Sequence, residues 1–209
     1  MPSICDQSFG DLYLWLYLSK MEFMLQTKLN QYDNSWYYPG AGVVKRTVWF
    51  FVNALFLINP LNPSSGLKTF WLRLFGAKIG NRVVFKQSIN VKYPWNLQVG
   101  NYSWIGEKVW IDSLGKVSIG NNCCISQGAL LLCGNHNYKC DTFDLIVSPI
   151  VIEDGVWIGA NSVVCGGVVC CSHSVLSAMS LASTDLLSFS VYRGNPAVKI
   201  RDRVIQENK

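Results

Sequence analysis

The sequence predicts an all-β solenoid built from triangular coils. Apolar anchors recur every six residues from Ile79 to Ala182, a small residue often stands four places after an anchor, and glycine follows several anchors directly. A period of six fits neither the 3.6-residue helical repeat nor the two-residue alternation of a half-buried strand. It fits one short strand plus one corner, with three such units closing a turn.

The anchors run Ile79, Phe85, Val91 and Leu97. After a two-residue shift come Val99, Ile105 and Ile111, and after a second shift Ile119, Ile125 and Leu131. Beyond an interruption they resume as Ile152, Ile158, Val164, Cys170, Leu176 and Ala182. Cys123, Ala129, Ser162, Ser174 and Ser180 are the small residues; Gly80, Gly100, Gly106, Gly120 and Gly159 follow anchors. Each anchor points into a narrow prism, the small residue fits beside the corner, and Gly or Asn accepts the tight backbone there. Stacked coils then bury one another's faces. In "CCSHSVLSAMSL" (Cys170 to Leu181) the spacing persists but the corner residues are replaced, so less regular corners are expected.

Ahead of the coil, "NPSSGLKTFWLRLFGAKIG" (Asn62 to Gly80) reads as a capped helix. Ser64 or Ser65 is the N-cap, Leu67, Phe70, Trp71 and Leu74 the apolar positions, and Gly76 the stop. Residues 29–76 read as helices and loops covering the first coil, whose sheet edge would otherwise be exposed. Residues 77–192 form the coil, with an extruded loop at about 134–149. Residues 193–209 form a tail whose "KIRDRVIQENK" is expected as a short capping helix. Residues 1–28 are an extension without an assigned role.

Half the residues are hydrophobic and 15% are charged, so the chain buries a large core and is not a disordered protein. The net charge of +5, with no dense Lys/Arg cluster, argues against nucleic acid and suits an anionic substrate or surface. Eight cysteines include the adjacent pairs Cys123/Cys124 and Cys170/Cys171 but no CxxC. They read as small hydrophobes and reduced thiols of a cytoplasmic protein. Asp6 and Asp11 precede "LYLWLYL", and no basic region opens the chain, which argues against a secretory signal. "TVWFFVNALFLI" (Thr47 to Ile58), preceded by Lys45 and Arg46, is shorter than the roughly 20 residues that span a bilayer. It reads as a buried packing helix or, alternatively, as an interfacial helix making peripheral contact at the inner face of the membrane.

Several stretches together carry a resemblance. They are "LNQYDNSWYYPG" (Leu29 to Gly40), "LRLFGAKIG" (Leu72 to Gly80), "VKYPWNLQVGNYSWIGEKVWID" (Val91 to Asp112), "VSIGNNCCISQGALL" (Val117 to Leu131), "FDLIVSPIVIEDGVWIGANSVV" (Phe143 to Val164) and "GNPAVKIR" (Gly194 to Arg201). On these the chain resembles the hexapeptide-repeat acyltransferases, whose fold is a left-handed parallel β-helix. More closely, it is similar to the colanic acid biosynthesis acetyltransferase branch, relatives of galactoside, maltose and nodulation acetyltransferases. The resemblance implies a homotrimer with sites between neighbouring prisms, acetyl coenzyme A as donor and a sugar hydroxyl as acceptor.

The interruption "GNHNYKCDTFDL" (Gly134 to Leu145) holds one of only two histidines. Regular corners cannot wrap a small substrate, whereas an extruded loop can close a cleft. Acetyl transfer from a thioester needs the attacking hydroxyl's proton removed, and neutral imidazole suits that work near neutral pH. His136 is therefore the candidate general base, with backbone N–H groups of the adjacent coil as oxyanion donors. The branch usually reads "NHD", and this chain has Asn137, which can hydrogen-bond but supplies no charge. Family position places Ala160 and Ala178 against the pantetheine arm of the coenzyme, with Trp157 beside the cleft. Thr184 stands where a lysine usually meets a coenzyme phosphate, and Arg193 and Arg201 are the candidates to supply that charge. Glu107, Asp112 and Asn137 are candidate acceptor contacts.

No metal is expected. His136 and His173 lack ligand spacing, and a carbonic anhydrase on this fold needs three histidines. The competing reading is a non-catalytic trimeric scaffold or interaction protein with a decayed coenzyme site. Asn137, Thr184 and the eroded last coils motivate it.

Overall fold

The structure, a computed structural model, describes Trp15 and residues 25–207. Short parallel strands stack on three faces. The first face carries Lys78–Ile79, Leu97–Val99, Val117–Ile119, Ile150–Ile152 and Val169–Cys170. The second carries Val84–Phe85, Trp104–Ile105, Cys124–Ile125, Trp157–Ile158, Val175–Leu176 and Ser190–Gly194. The third carries Asn90–Val91, Trp110–Asp112, Leu130–Leu132, Val163–Cys165 and Leu181–Ala182. Every anchor of the six-residue pattern is buried, so the three faces meet in one core. Phe85, Ile105, Ile125, Ile158 and Leu176 pair in succession up the second face. The architecture is the parallel β-solenoid that the spacing predicts.

The two-residue shifts have a structural cause. On the first face, both ends of a three-residue strand point inward: Leu97 with Val99, Val117 with Ile119, Ile150 with Ile152. The glycines after anchors also have a cause other than turn geometry. A Cβ at Gly100 or Gly106 would come within 2.6 Å of the next coil's backbone. Left-handed corners fall instead on Tyr102, Lys108, Asn122 and Asn161, with φ between 54° and 59°. His173 and Met179 adopt the same conformation at φ 60°. The corners of Cys170 to Leu181 are therefore regular, contrary to the expectation from their composition. Coil-to-coil bonds impose them, from His173 N to Asp154 O (2.8 Å) and from Met179 N to Ala160 O (2.9 Å).

Helix α1 (Val43–Val52) continues into a π-helical segment, Asn53–Ile58. Trp49, Val52 and Leu57 face inward, and the Trp49 indole N–H donates to Val91 O at 2.9 Å. Val44, Val48, Phe51, Leu55 and Ile58 are exposed, so this segment buries only one side. Helix α2 (Ser65–Leu74) is N-capped by Ser64, whose Oγ accepts from Leu67 N at 3.2 Å. It turns differently from the sequence expectation: Lys68 and Leu72 are buried, while Leu67, Phe70 and Leu74 are exposed. The Lys68 ammonium keeps a 2.6 Å bond to Asn62 O, which makes its burial tolerable, and burial lowers its pKa.

The C-terminal expectation is corrected. Ser190–Gly194 joins the second face parallel to Val175–Leu176 and then turns into an antiparallel strand, Ala197–Asp202. No helix forms over residues 199–207. A strand supplies hydrogen-bond partners to the last edge of the face, which a helix could not do. The seven cysteines among the described residues are free thiols. No helix among the described residues is long and apolar enough to cross a membrane.

The chain divides into two compact units. Of the described residues, Ser35–Asn135 with those from Leu145 onward form the coil and its helical cover, and the loop His136–Asp144 groups with those up to Asn34.

Candidate active site

In the loop unit, His136 is positioned by its own segment. Its Nδ1 lies 2.9 Å from Phe143 O, and its ring stacks on the Phe143 ring with centroids 4.4 Å apart. The Tyr32 ring approaches at 5.7 Å, tilted by 55°. A carbonyl oxygen can only accept, so Nδ1 carries the proton and Nε2 is the basic nitrogen of the neutral ring. Phe143 holds φ 56°, a left-handed conformation uncommon for an aromatic residue, and the loop's own bonds maintain it. These run from Asn137 N to Asp144 O (2.8 Å), from Cys140 N to Asn137 O (3.0 Å) and from Phe143 N to Cys140 O (3.2 Å).

The Asn137 side chain accepts from Lys139 N at 3.2 Å, closing a local turn. The Phe143 carbonyl thus holds the histidine nitrogen, and Asn137 shapes the turn. Lys28 fastens the loop from the preceding segment. Its backbone N–H donates to Asp141 O at 2.6 Å and its ammonium lies 3.0 Å from the Asp141 carboxylate. The hydrogen bond from Lys28 holds the Asp141 carboxyl below its ordinary pKa. Sequence reasoning assigned no role to Tyr32 or Phe143, although both lie within the motifs that carry the resemblance.

In the coil unit, most of the other candidates gather on the second face and the corner that follows it. Trp157 is exposed there, its indole N–H donating to Ser126 Oγ at 2.9 Å. Ala160 and Ala178 occupy equivalent corner positions in consecutive coils, and Glu107 occupies that position two coils earlier. The column is traced by bonds from Gly128 N to Glu107 O, Asn161 N to Gln127 O and Met179 N to Ala160 O, at 2.7, 2.9 and 2.9 Å. Glu107 also lines a cavity of about 340 Å³ with Lys86, Trp104 and Ser126. Arg201 shares a row with Trp157 through Val175 and Val191. Arg193 is exposed on the same terminal hairpin.

Asp112 stands elsewhere, at the end of the third face. Its carboxylate is buried and lies 3.2 Å from the Lys92 ammonium. This is the corner from which the loop departs, since Cys133 N donates to Asp112 O and a Cβ at Gly134 would meet Leu114 and Asp112. Among the described residues no group of three side chains could hold a metal.

No family model matches the chain. It is 36% identical over 170 residues to WcaF of Escherichia coli K12, a protein named as a colanic acid biosynthesis acetyltransferase, covering 81% of this chain and 93% of that one. To the galactoside O-acetyltransferase of the same organism it is 26% identical over 129 residues, covering 60% and 64%. A maltose O-acetyltransferase from Clostridium difficile superposes with a TM-score of 0.68 at 23% identity, over 78% of this chain and 88% of that chain. A hexapeptide-repeat acetyltransferase from Vibrio cholerae, solved with acetyl coenzyme A, gives 0.70 at 20% identity, over 80% and 93%. The superpositions establish the fold, a left-handed parallel β-helix, and the 36% identity with WcaF over most of both chains establishes the family. The chain belongs to the colanic acid biosynthesis acetyltransferase branch of the hexapeptide-repeat acetyltransferases.

Proposed function

We propose that the chain moves the acetyl group of acetyl coenzyme A onto a sugar hydroxyl in exopolysaccharide or lipopolysaccharide biosynthesis, with His136 as general base. The observation that carries this reading is the bond between His136 Nδ1 and Phe143 O, which fixes the tautomer with Nε2 basic. In this mechanism Nε2 takes the hydroxyl proton as the sugar oxygen bonds to the thioester carbon. The carbonyl oxygen becomes negative and is met by backbone N–H donors. Its collapse breaks the C–S bond, and the departing thiolate takes the proton from the imidazolium.

The donor side of the site falls to the second-face column. Small side chains at Ala160 and Ala178 let the pantetheine amides approach the backbone, Trp157 flanks the arm, and Arg193 and Arg201 supply charge for the coenzyme phosphates. Glu107, in the same column, accepts from acceptor hydroxyls. Asp112 and Asn137 support the loop corner, because both side chains are already engaged within the protein.

This division suits a homotrimer. The Asp112–Gly134 corner ends the third face, and the Glu107–Ala160–Ala178 column follows the second. A triangular coil keeps these corners a strand apart, so a site using both draws on two prisms. Trp104, Trp110 and Trp157, all exposed in the single chain, are the side chains such contacts would cover. The outward apolar side of residues 47–58 supports a cytoplasmic enzyme held peripherally at the inner membrane face.

An acceptor screen with radiolabelled acetyl coenzyme A, covering lipid-linked and nucleotide-linked sugars, tests the activity. Label is expected in one acceptor class, and coenzyme A is expected to raise the melting temperature. No transfer and no stabilisation by coenzyme A would establish a non-catalytic scaffold instead.

A further inference from the structure

The solvent side of a surface helix is ordinarily polar. On α1 and its π-helical extension it includes Val44, Val48, Phe51, Leu55 and Ile58, and Leu61, Phe70 and Leu74 are exposed as well. Charge is segregated in the same part of the chain. Between Asn34 and Gly106 stand eight Lys and Arg residues and no Asp or Glu, whereas the remainder carries ten basic and thirteen acidic residues. An apolar helical face in an all-basic region matches an anionic bilayer surface. A second copy of the same face would set like charges against each other.

Behind this face lies a cavity of about 380 Å³, between α1 and the third face of the coil. Arg46, Asn53, Asn90, Lys92, Tyr93 and Trp110 are among its lining residues. Its polar groups are only partly satisfied by the protein. Asn53 Nδ2 donates to Asn90 Oδ1 at 2.8 Å, and Lys92 lies 3.2 Å from Asp112. The Arg46 Nε, however, is buried and has no hydrogen-bond partner. The guanidinium of a lining arginine suits an anionic ligand, and phosphate oxygens match its donor geometry. The volume lies within the range of small-ligand sites.

We propose that this cavity binds the phosphate headgroup of an anionic membrane lipid while the outward side of α1 lies on the bilayer. The assignment rests on the peripheral-membrane reading above and adds to it a specific site. Arg46 donates to the phosphate, Lys92 adds charge at the rim, and the apolar side chains of α1 meet the acyl region.

Flotation of the full-length chain with vesicles tests both levels. Wild type is expected to float with phosphatidylcholine vesicles containing phosphatidic acid, and less with vesicles given the same charge by oleate, which has no phosphate. Phe51→Ser and Leu55→Ser, at exposed positions, should weaken binding to both. Arg46→Gln should lose about tenfold on phosphatidic acid, the scale of one charge-assisted hydrogen bond, and much less on oleate. Arg46→Lys keeps the charge and should still lose the preference for phosphatidic acid. Unchanged melting temperatures would confirm that the variants fold. Equal losses on both vesicle types would overturn the headgroup site and leave the membrane reading standing. No flotation of wild type with either anionic vesicle would overturn both. Stabilisation by inorganic phosphate equal to that by phosphatidic acid would overturn the lipid assignment.

Discussion

In the coil, Ile125 is placed by its spacing, by pairing with Ile105 below and Ile158 above, and by burial in a core that every turn rebuilds. In the loop, His136 is placed by contacts that occur once, among them the Phe143 carbonyl, the Phe143 ring and the Tyr32 ring. Repetition makes the coil's stability the sum of many similar interfaces. The loop has no such redundancy, so its residues act singly.

That contrast predicts where single substitutions strike. His136→Ala should lower turnover by roughly 10²–10⁴-fold while coenzyme A binding and melting temperature stay near wild type. Steady-state kinetics beside thermal shift checks this, and turnover close to wild type would return His136 to a structural role. Thiol chemistry separates the same two regions. Cys133, in the coil, is buried, and burial pushes its thiol up to about 11; Cys140, in the loop, is exposed. Near pH 8 the native protein should alkylate at Cys140 at least about a hundredfold faster than at Cys133, read by mass spectrometry of timed samples. Because the folded pKa of this acid is raised, the unfolded chain ionises first. Cys133 therefore costs stability as pH rises above the ordinary thiol range towards 11.

Gly106→Ala probes the coil's redundancy. The added Cβ would come 2.6 Å from the Gln127 backbone nitrogen, and the coils must part to admit it. A loss of about 1–3 kcal/mol is expected by chemical denaturation, and a neutral result would mean that the coils slide freely. The smallest effect is expected for Asn137→Asp. A carboxylate beside His136 favours the imidazolium, so the acid limb of the rate profile should move to higher pH by less than about one unit. Because Asn137 is engaged with Lys139 N, an unchanged limb would show that position 137 serves only the turn.

Much of the coil was legible because burial in a narrow prism leaves a periodic trace: the sixteen anchors from Ile79 to Ala182 can be read without any structure. The loop that holds His136 was legible because it breaks that trace. The faces of the helical cover were not, since Leu67, Phe70 and Leu74 look like core and lie in solvent, while Lys68 looks like surface and is buried. Hydrophobicity ranks side chains but does not say which side a helix presents once its ends are tied to a coil. Phe143 was not legible for a related reason. Its contribution is a backbone carbonyl, held at φ 56° by neighbours, and any residue type carries a carbonyl.

The sequence by itself determined the solenoid, its register and the position of the loop, because each depends on local spacing and on burial that every coil repeats. Tertiary structure alone decided the tautomer of His136, the terminal hairpin in place of a helix, the engagement of Asp112 with Lys92, and the outward apolar side of α1. Each of these depends on which backbone groups and faces are already occupied by segments distant in the chain, and no local pattern records that occupancy.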